Sequence, residues 1–365
     1  MSVTRLTHPS CQTGFGSSDW RTAIGDSPLS IIAPVSKPFD AVLVIAFGGP
    51  LAPPDVRPFL ENVLRGRRVA PGRIDEVAHH YEIVGGRSPL TELTERQADG
   101  LRQRLAGTGH PLPVYIGMRN WHPFLSDTLA GMSRAGIRRA IGVIAAAHRS
   151  YSSCTQYREN VAEARGNLAR QGLHDVEVTY VSDWFDHPLF IAANADRIRT
   201  ALETLPPDAR DRSRIVFTAH SIPVSMANRY PYQQQFEESA RLVMEDVASR
   251  SGETNVPYAT VYQSRSGRPE DPWLGPDVCD YLRDEHARGL DAALLCPIGF
   301  LCDHVEVLYD LDVEAADVSR ELGLPMARAA AVNDHPLFLD MLADVVLRLY
   351  DRYHRARPLE LVAAP

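Results

Sequence analysis

Short runs of uninterrupted apolar residues, spaced a helix apart, restrict this chain more than any other feature. The first, Ala41-Val42-Leu43-Val44-Ile45-Ala46, is apolar on both of its alternating faces. Such a strand needs cover on both sides, so it belongs in a parallel sheet with helices above and below. Further runs follow at 114–116, 141–144 and 176–181, the last broken by Glu177 and Thr179, and then strands at 214–218, 259–262, 292–296 and 326–331. Helix-length segments separate them, among them 93–105 and 160–172. Strand–helix alternation of this kind builds α/β units with right-handed crossovers.

An internal echo divides the chain. Asp186-His187-Pro188-Leu189-Phe190 recurs as Asp334-His335-Pro336-Leu337-Phe338. Each copy follows a fourth strand and opens a helix, with proline in the first turn, where its missing N–H costs nothing. Two halves of four parallel strands each are the natural inference. The expected organisation is a tail over 1–39, a first domain over 40–207 and a second over 208–334. A last helix over 335–352 packs back on the first domain, and 353–365 form a C-terminal tail.

Bulk composition excludes several classes. The chain has 365 residues, 44% hydrophobic and 23% charged, which suits a globular protein of two domains. A net charge of -8 argues against a partner held through phosphates, so no nucleic acid is expected. No apolar stretch reaches the roughly 18 residues of a membrane span. Arg5 followed by polar, Gly/Ser-rich sequence does not read as a secretory signal. Five cysteines without regular spacing suit a reducing compartment, and the cytoplasm is the expectation.

The chemistry concentrates where strands end, since ligands of open α/β sheets bind at the C-terminal strand edges. After the 292–296 run, Glu306, Asp310 and Glu314 stand four residues apart. On an α-helix they share one face, drifting about 40° per step. Like charges at this spacing cost about 0.2–0.5 kcal/mol per pair in an isolated helix. Asp303 with Glu306 also fits a helix-starting cap. From this stretch alone a solvated face and a cation path both stay open. His220, after the run Ile215-Val216-Phe217, ends another strand of the same half. Imidazole titrates near neutrality, so it can take a proton or bind a metal through nitrogen. With carboxylates it suits a divalent first-row ion such as Fe2+.

These segments resemble a known family. Thr218-Ala219-His220-Ser221-Ile222-Pro223 and the stretch 299–314 look like the two signature segments of ferrochelatases. Asp271-Pro272-Trp273-Leu274-Gly275-Pro276, Gly85-Gly86-Arg87-Ser88-Pro89-Leu90 and Tyr115-Ile116-Gly117-Met118-Arg119 match further motifs, in order, between about Phe39 and about Leu349. The resemblance implies two similar Rossmann-like domains with a porphyrin cleft between them. It implies insertion of Fe2+ into a porphyrin, protoporphyrin IX or coproporphyrin III, with release of two protons, in haem biosynthesis.

The resemblance places His220 at the macrocycle centre with Glu306 opposite. We read His220 as proton acceptor and Glu306, Asp310 and Glu314 as a cation or proton conduit, with all four as metal-contacting positions. Phe47 stands where several relatives have a metal-contacting tyrosine, and it offers no oxygen. Phe47, Arg65, Ser88, Arg119, Tyr157 and Trp273 match substrate-binding positions, the arginines as propionate partners; Gln97 matches a cleft position. Cys154 resembles the first ligand of an iron–sulfur cluster of some bacterial members, whose remaining cysteines lie near the C-terminus. No cysteine follows Cys302, so no cluster and no tightly bound cofactor are expected. No transmembrane segment is expected, and any contact with a membrane surface or a pathway enzyme is transient. Rival readings are a cobalt or nickel tetrapyrrole chelatase, and a non-catalytic two-lobed haem- or solute-binding protein.

Overall fold

The computed structural model describes residues 37–66, 72–251, 257–267 and 270–355. Its apolar runs form two parallel sheets among those residues. The first orders β1 (Ala41–Ala46), β2 (Val114–Met118), β3 (Arg139–Ile144) and β4 (Glu177–Tyr180) as β2-β1-β3-β4. The second orders β5 (Ser213–His220), β6 (Tyr258–Gln263), β7 (Ala292–Cys296) and β8 (Met326–Arg328) as β6-β5-β7-β8. The two orders are identical, and each half has the four parallel strands that the sequence echo predicts. In each sheet the first strand of the half lies between the second and the third, and β1 and β7 are buried along their whole length. Strand β8 ends at Arg328, short of the 326–331 expected, because the next residues turn away to meet Asp303.

The helices that matter for the cleft are α1 (Val56–Leu64), α2 (Arg73–Ile83), α3 (Leu90–Gly107), α4 (Gln156–Arg170), α5 (Pro188–Leu202), α6 (Tyr232–Ser251) and α7 (Pro336–Arg355). Each sheet buries a core of its own, around Leu43 and Ile45 in the first and Val216 and Leu295 in the second, and the two also share one. One apolar cluster runs from Val42 and Val143 through Phe190 and Phe338 to Phe217 and Leu294. Polar cross-links follow the same seam. Gln97 of α3 donates to the carbonyl of Asn333 at 2.8 Å, and the backbone N–H of Arg149 donates to Gln235 of α6 at 2.8 Å. His148 is fully buried there against Ser239 at 3.0 Å, and burial lowers its pKa to about 3, so it is neutral.

Most of the expected N-terminal tail lies outside the described residues. Its last residue does not behave as tail: Phe39 is buried against Tyr350 and Tyr353 of α7. The last helix runs to Arg355, three residues beyond the expected end, and Leu339 packs so close to Gly100 of α3 that a Cβ there would meet it at 2.5 Å.

The echoed motif has a reciprocal role. His187 starts α5, accepts from the Leu189 N–H at 3.2 Å and meets Asp344 of α7 at 2.7 Å. His335 precedes α7, accepts from the Leu337 N–H at 3.2 Å and meets Asp196 of α5 at 3.0 Å. Phe190 and Phe338, each three residues after its histidine, lie 6.3 Å apart. The two helices therefore clasp through one contact made twice, as across an isologous interface.

Alanine in place of His187 or His335 is expected to cost about 1 kcal/mol, the worth of a charge-assisted hydrogen bond discounted for the partial exposure of the aspartates. The double variant should lose less than the sum, because both contacts close the same helix pair. The His335 bond holds Asp196 below the usual carboxyl range; at Asp344, burial opposes the shift but His187 and Arg348 outweigh it. The contribution is thus present above the ordinary carboxyl pKa and lost as pH falls through the depressed values. Denaturant titrations across acid pH should show the gap between parent and variants closing.

Candidate functional site

His220 is the last residue of β5, the strand flanked by β6 and β7. Its Nδ1 lies 2.5 Å from the Ser221 carbonyl, which can only accept, so Nδ1 carries the proton. In the neutral ring Nε2 then keeps its lone pair; it lies 3.8 Å from Glu306 Oε1. That is beyond hydrogen-bond length, and the two groups are 33% and 42% exposed, so they stand close together, unbonded and open to solvent. The Tyr232 hydroxyl fixes the His220 carbonyl at 2.9 Å. Gly299 lets the turn after β7 settle on the end of β5: a Cβ there would stand 2.6 Å from Ala219. Two strand ends can therefore approach closely, and the helix that carries Glu306 starts beside His220.

That helix is capped by His304, not Asp303. The His304 Nδ1 accepts from the Glu306 N–H at 3.2 Å, and burial lowers its pKa, against the pull of Glu306, which keeps it an acceptor. Asp303 is instead bound by Arg328 at 2.8 Å, the Ala331 N–H at 3.0 Å and Asn333 at 2.7 Å. A strong cation removed it from capping.

The regular helix expected through the three carboxylates is interrupted. The helix over Val305–Tyr309 passes into a π turn over Asp310–Ala315 before α-helix resumes at Ala316. A π turn holds more residues than an α turn, so four residues rotate through less angle and the drift from Asp310 to Glu314 shrinks. Asp310 is pushed up to about 7, chiefly by burial, with Glu306 and Glu314 adding repulsion; its hydrogen bonds from Ser264 and Gln263 oppose the shift. Burial also raises Glu314, with Asp277 and Glu76 adding to it. His80 of α2 stacks on Tyr309 at 3.7 Å, and Val305 enters the α1–α2 apolar cluster, so the first half grips this helix. Among the described residues no three His, Cys, Asp or Glu side chains converge as a metal-holding group. His220, Glu306, Asp310 and Glu314 form a pair followed by a file, not a cage.

The remaining expected positions fall into two groups. Phe47 is 36% exposed and packs edge-on against Phe59 at 6.2 Å, which in turn meets Tyr81 and Trp121. Tyr157 is buried beneath the Arg119 guanidinium, 6.0 Å from its ring. Burial raises its phenol pKa, Arg119 pulls it down, and Glu306 also acts on it, so these three share one electrostatic neighbourhood. Ser88, Arg65 and Trp273 make local contacts. Ser88 is buried against Gly49, where a Cβ would come within 2.7 Å. Arg65 ends α1, exposed and bonded to Asn62. Trp273 fills the space beside Gly267, where a Cβ would stand 1.9 Å from its indole nitrogen, and its backbone bridges Pro223. Gln97 binds across the seam to Leu301, Cys302 and Asn333. The cysteines at 154, 279, 296 and 302 are free thiols whose pKa burial raises; Cys11 is outside the described residues.

Gln263 and Ser264 were visible as polar residues closing a strand, but their partners were not. Gln263 Nε2 reaches the Glu306 carbonyl at 3.0 Å and Asp310 at 3.2 Å, and the Ser264 hydroxyl donates to Asp310. The only sequence signal was their place at the end of an apolar run.

Known proteins resemble this chain over nearly all of the described region. A family model described as Ferrochelatase matches residues 39–349. The coproporphyrin III ferrochelatase of Streptomyces coelicolor is 44% identical, over 86% of this chain and 86% of its own length. A protein of Rhodopirellula baltica named ferrochelatase is 43% identical, over 85% of this chain and 86% of its own. Among solved structures, SirB from Bacillus subtilis with Fe3+ shares the fold at a TM-score of 0.51 and 10% identity, over 88% of this chain and 99% of its own.

The raised carboxyl pKa of Asp310 carries a sign. The folded state keeps a proton that the unfolded state has released, so stability falls as pH rises from the ordinary carboxyl value to about 7. Asp310→Asn is expected to match the parent's Tm near about pH 4 and to exceed it near about pH 8, read by thermal melts.

Proposed function

This chain belongs to the ferrochelatase family, and from that premise we propose how its residues insert Fe2+ into a porphyrin. The observation that carries the reading is the free Nε2 lone pair of His220 facing Glu306 at 3.8 Å. Metal insertion replaces two pyrrole N–H protons by one divalent ion, so the site must accept protons on one side of the ring and offer a cation on the other, or do both from one side. His220 Nε2 accepts a pyrrole proton, and the carboxylate of Glu306 stabilises the imidazolium that forms. The second proton, and the ion's approach, follow the carboxylates of Glu306, Asp310 and Glu314. Asp310, poised near 7, can hold or pass a proton at cellular pH. Before Nε2 takes that proton, His220 and Glu306 serve the ion as transient ligands, imidazole nitrogen and carboxylate oxygen both suiting Fe2+.

A flat porphyrin shields its nitrogens, so the ring must be bent for the ion to enter. Binding energy from the macrocycle's periphery does that work. Phe47, exposed and braced edge-on by Phe59, offers an apolar face. Arg119, above Tyr157, supplies a fork for a propionate. We take coproporphyrin III as the porphyrin, supported by several relatives at 43–44% identity that carry that name. The reading places the reaction in the cytoplasm, supported by the free thiols; no described helix is long and apolar enough to cross a membrane.

Anaerobic mixing with Fe2+ and free-base coproporphyrin III should collapse the four visible bands of the ring to two. In competition at limiting enzyme, protoporphyrin IX should be metallated more slowly. His220→Ala and Glu306→Gln should keep porphyrin binding, by fluorescence quenching, and lose insertion by about 10²–10⁴-fold, the usual worth of a general base. Turnover of either variant near the parent rate would refute the assigned roles.

A further inference from the structure

Two non-glycine residues among those described have a positive φ: Asn333 at 47° and Ser264 at 61°. Asparagine tolerates this region, and Asn333 repays it by binding Asp303 through both ends of its amide. Serine is a poorer fit there than glycine, whose missing Cβ removes the clash. Backbone of this kind persists only where the surroundings hold it. At Ser264 the holding contact is the hydroxyl, which donates to Oδ2 of Asp310.

Its neighbour acts on the same carboxylate. Gln263 is buried, and its Nε2 donates to Asp310 Oδ2 at 3.2 Å and to the Glu306 carbonyl at 3.0 Å. The Glu306 carbonyl can only accept, so the amide is oriented with its nitrogen toward the helix. Its oxygen is buried without a hydrogen-bond partner, a cost accepted to keep that orientation. Gln263 also pairs with His220 in the β5–β6 ladder, and its carbonyl accepts from the Ser221 N–H at 2.7 Å. Two consecutive residues thus touch the backbone beside His220, the backbone of Glu306 and the first carboxylate of the π turn.

We propose that Gln263 and Ser264 are positioning residues for metal insertion, setting the head of the π turn so that Glu306 stays opposite His220 and Asp310 stays in line behind it. The inference rests on His220 and Glu306 being the reacting pair. Its distinctive consequence is that fold stability and turnover separate at Ser264. Glycine relaxes the backbone but removes the hydroxyl; threonine keeps a hydroxyl but strains the backbone further with its branched Cβ.

Ser264→Gly is therefore expected to melt at or above the parent's Tm and to bind free-base porphyrin as the parent does. Its kcat for Fe2+ insertion should fall about tenfold, the scale of a lost hydrogen bond to a charged group. Ser264→Thr should melt lower yet keep most of the parent's kcat. The measurements are thermal melts, porphyrin fluorescence quenching and kcat against KM for Fe2+, on the full chain. Parental kcat in Ser264→Gly, or equal loss of kcat in both variants, would overturn the proposal. An unmutated chain that metallates no porphyrin would overturn the underlying reading of the reacting pair instead.

Discussion

The separation of His220 and Glu306 is set by backbone, and the rest of the cleft depends on it. Parallel strands deliver their ends to one edge of a sheet, so β5 and β7 finish side by side. Gly299 removes the Cβ that would keep the turn after β7 away from Ala219. The helix that follows then starts beside the imidazole. The Ser221 carbonyl settles the tautomer, and the His304 cap settles where the helix begins. An imidazole lone pair and a carboxylate end up 3.8 Å apart without touching. An interposed ion or proton can use both groups, which a closed hydrogen bond would have prevented.

Holding that geometry takes both halves of the chain. The shared apolar core and the doubled histidine–aspartate clasp fix α5 against α7. On the cleft side, the His80–Tyr309 stack and the burial of Val305 tie the helix bearing Glu306 to α2. The acidic helix is thus anchored by apolar contacts made with the opposite half, while its carboxylates are left to face one another. Their repulsion is relieved because burial, with Glu306 and Glu314 adding to it, raises the Asp310 carboxyl to about 7, where it can take up a proton.

Much of this was legible beforehand. The runs 41–46 and 292–296 were apolar throughout, and both strands lie buried where that predicts. The Asp-His-Pro-Leu-Phe echo anticipated two halves of four parallel strands, although neither their order nor that the two histidines would trade aspartates. His220 and Glu306 stood out by residue type and motif. Asp303 misled because a capping pattern cannot show that Arg328, 25 residues on, competes for the same carboxylate. The π turn was invisible because hydrophobic spacing reports an average period and not one inserted residue. Gln263 and Ser264 were polar residues among many until their partners were known.

Sequence alone determined the class of fold, the twofold repeat and which residue types stand at the strand ends, because burial periodicity and residue chemistry are local properties. Tertiary structure decided which strand ends meet, which tautomer His220 adopts, and which carboxylate is held near neutrality. Those depend on distances between residues far apart in the chain, and electrostatic and hydrogen-bond energies change steeply with such distances.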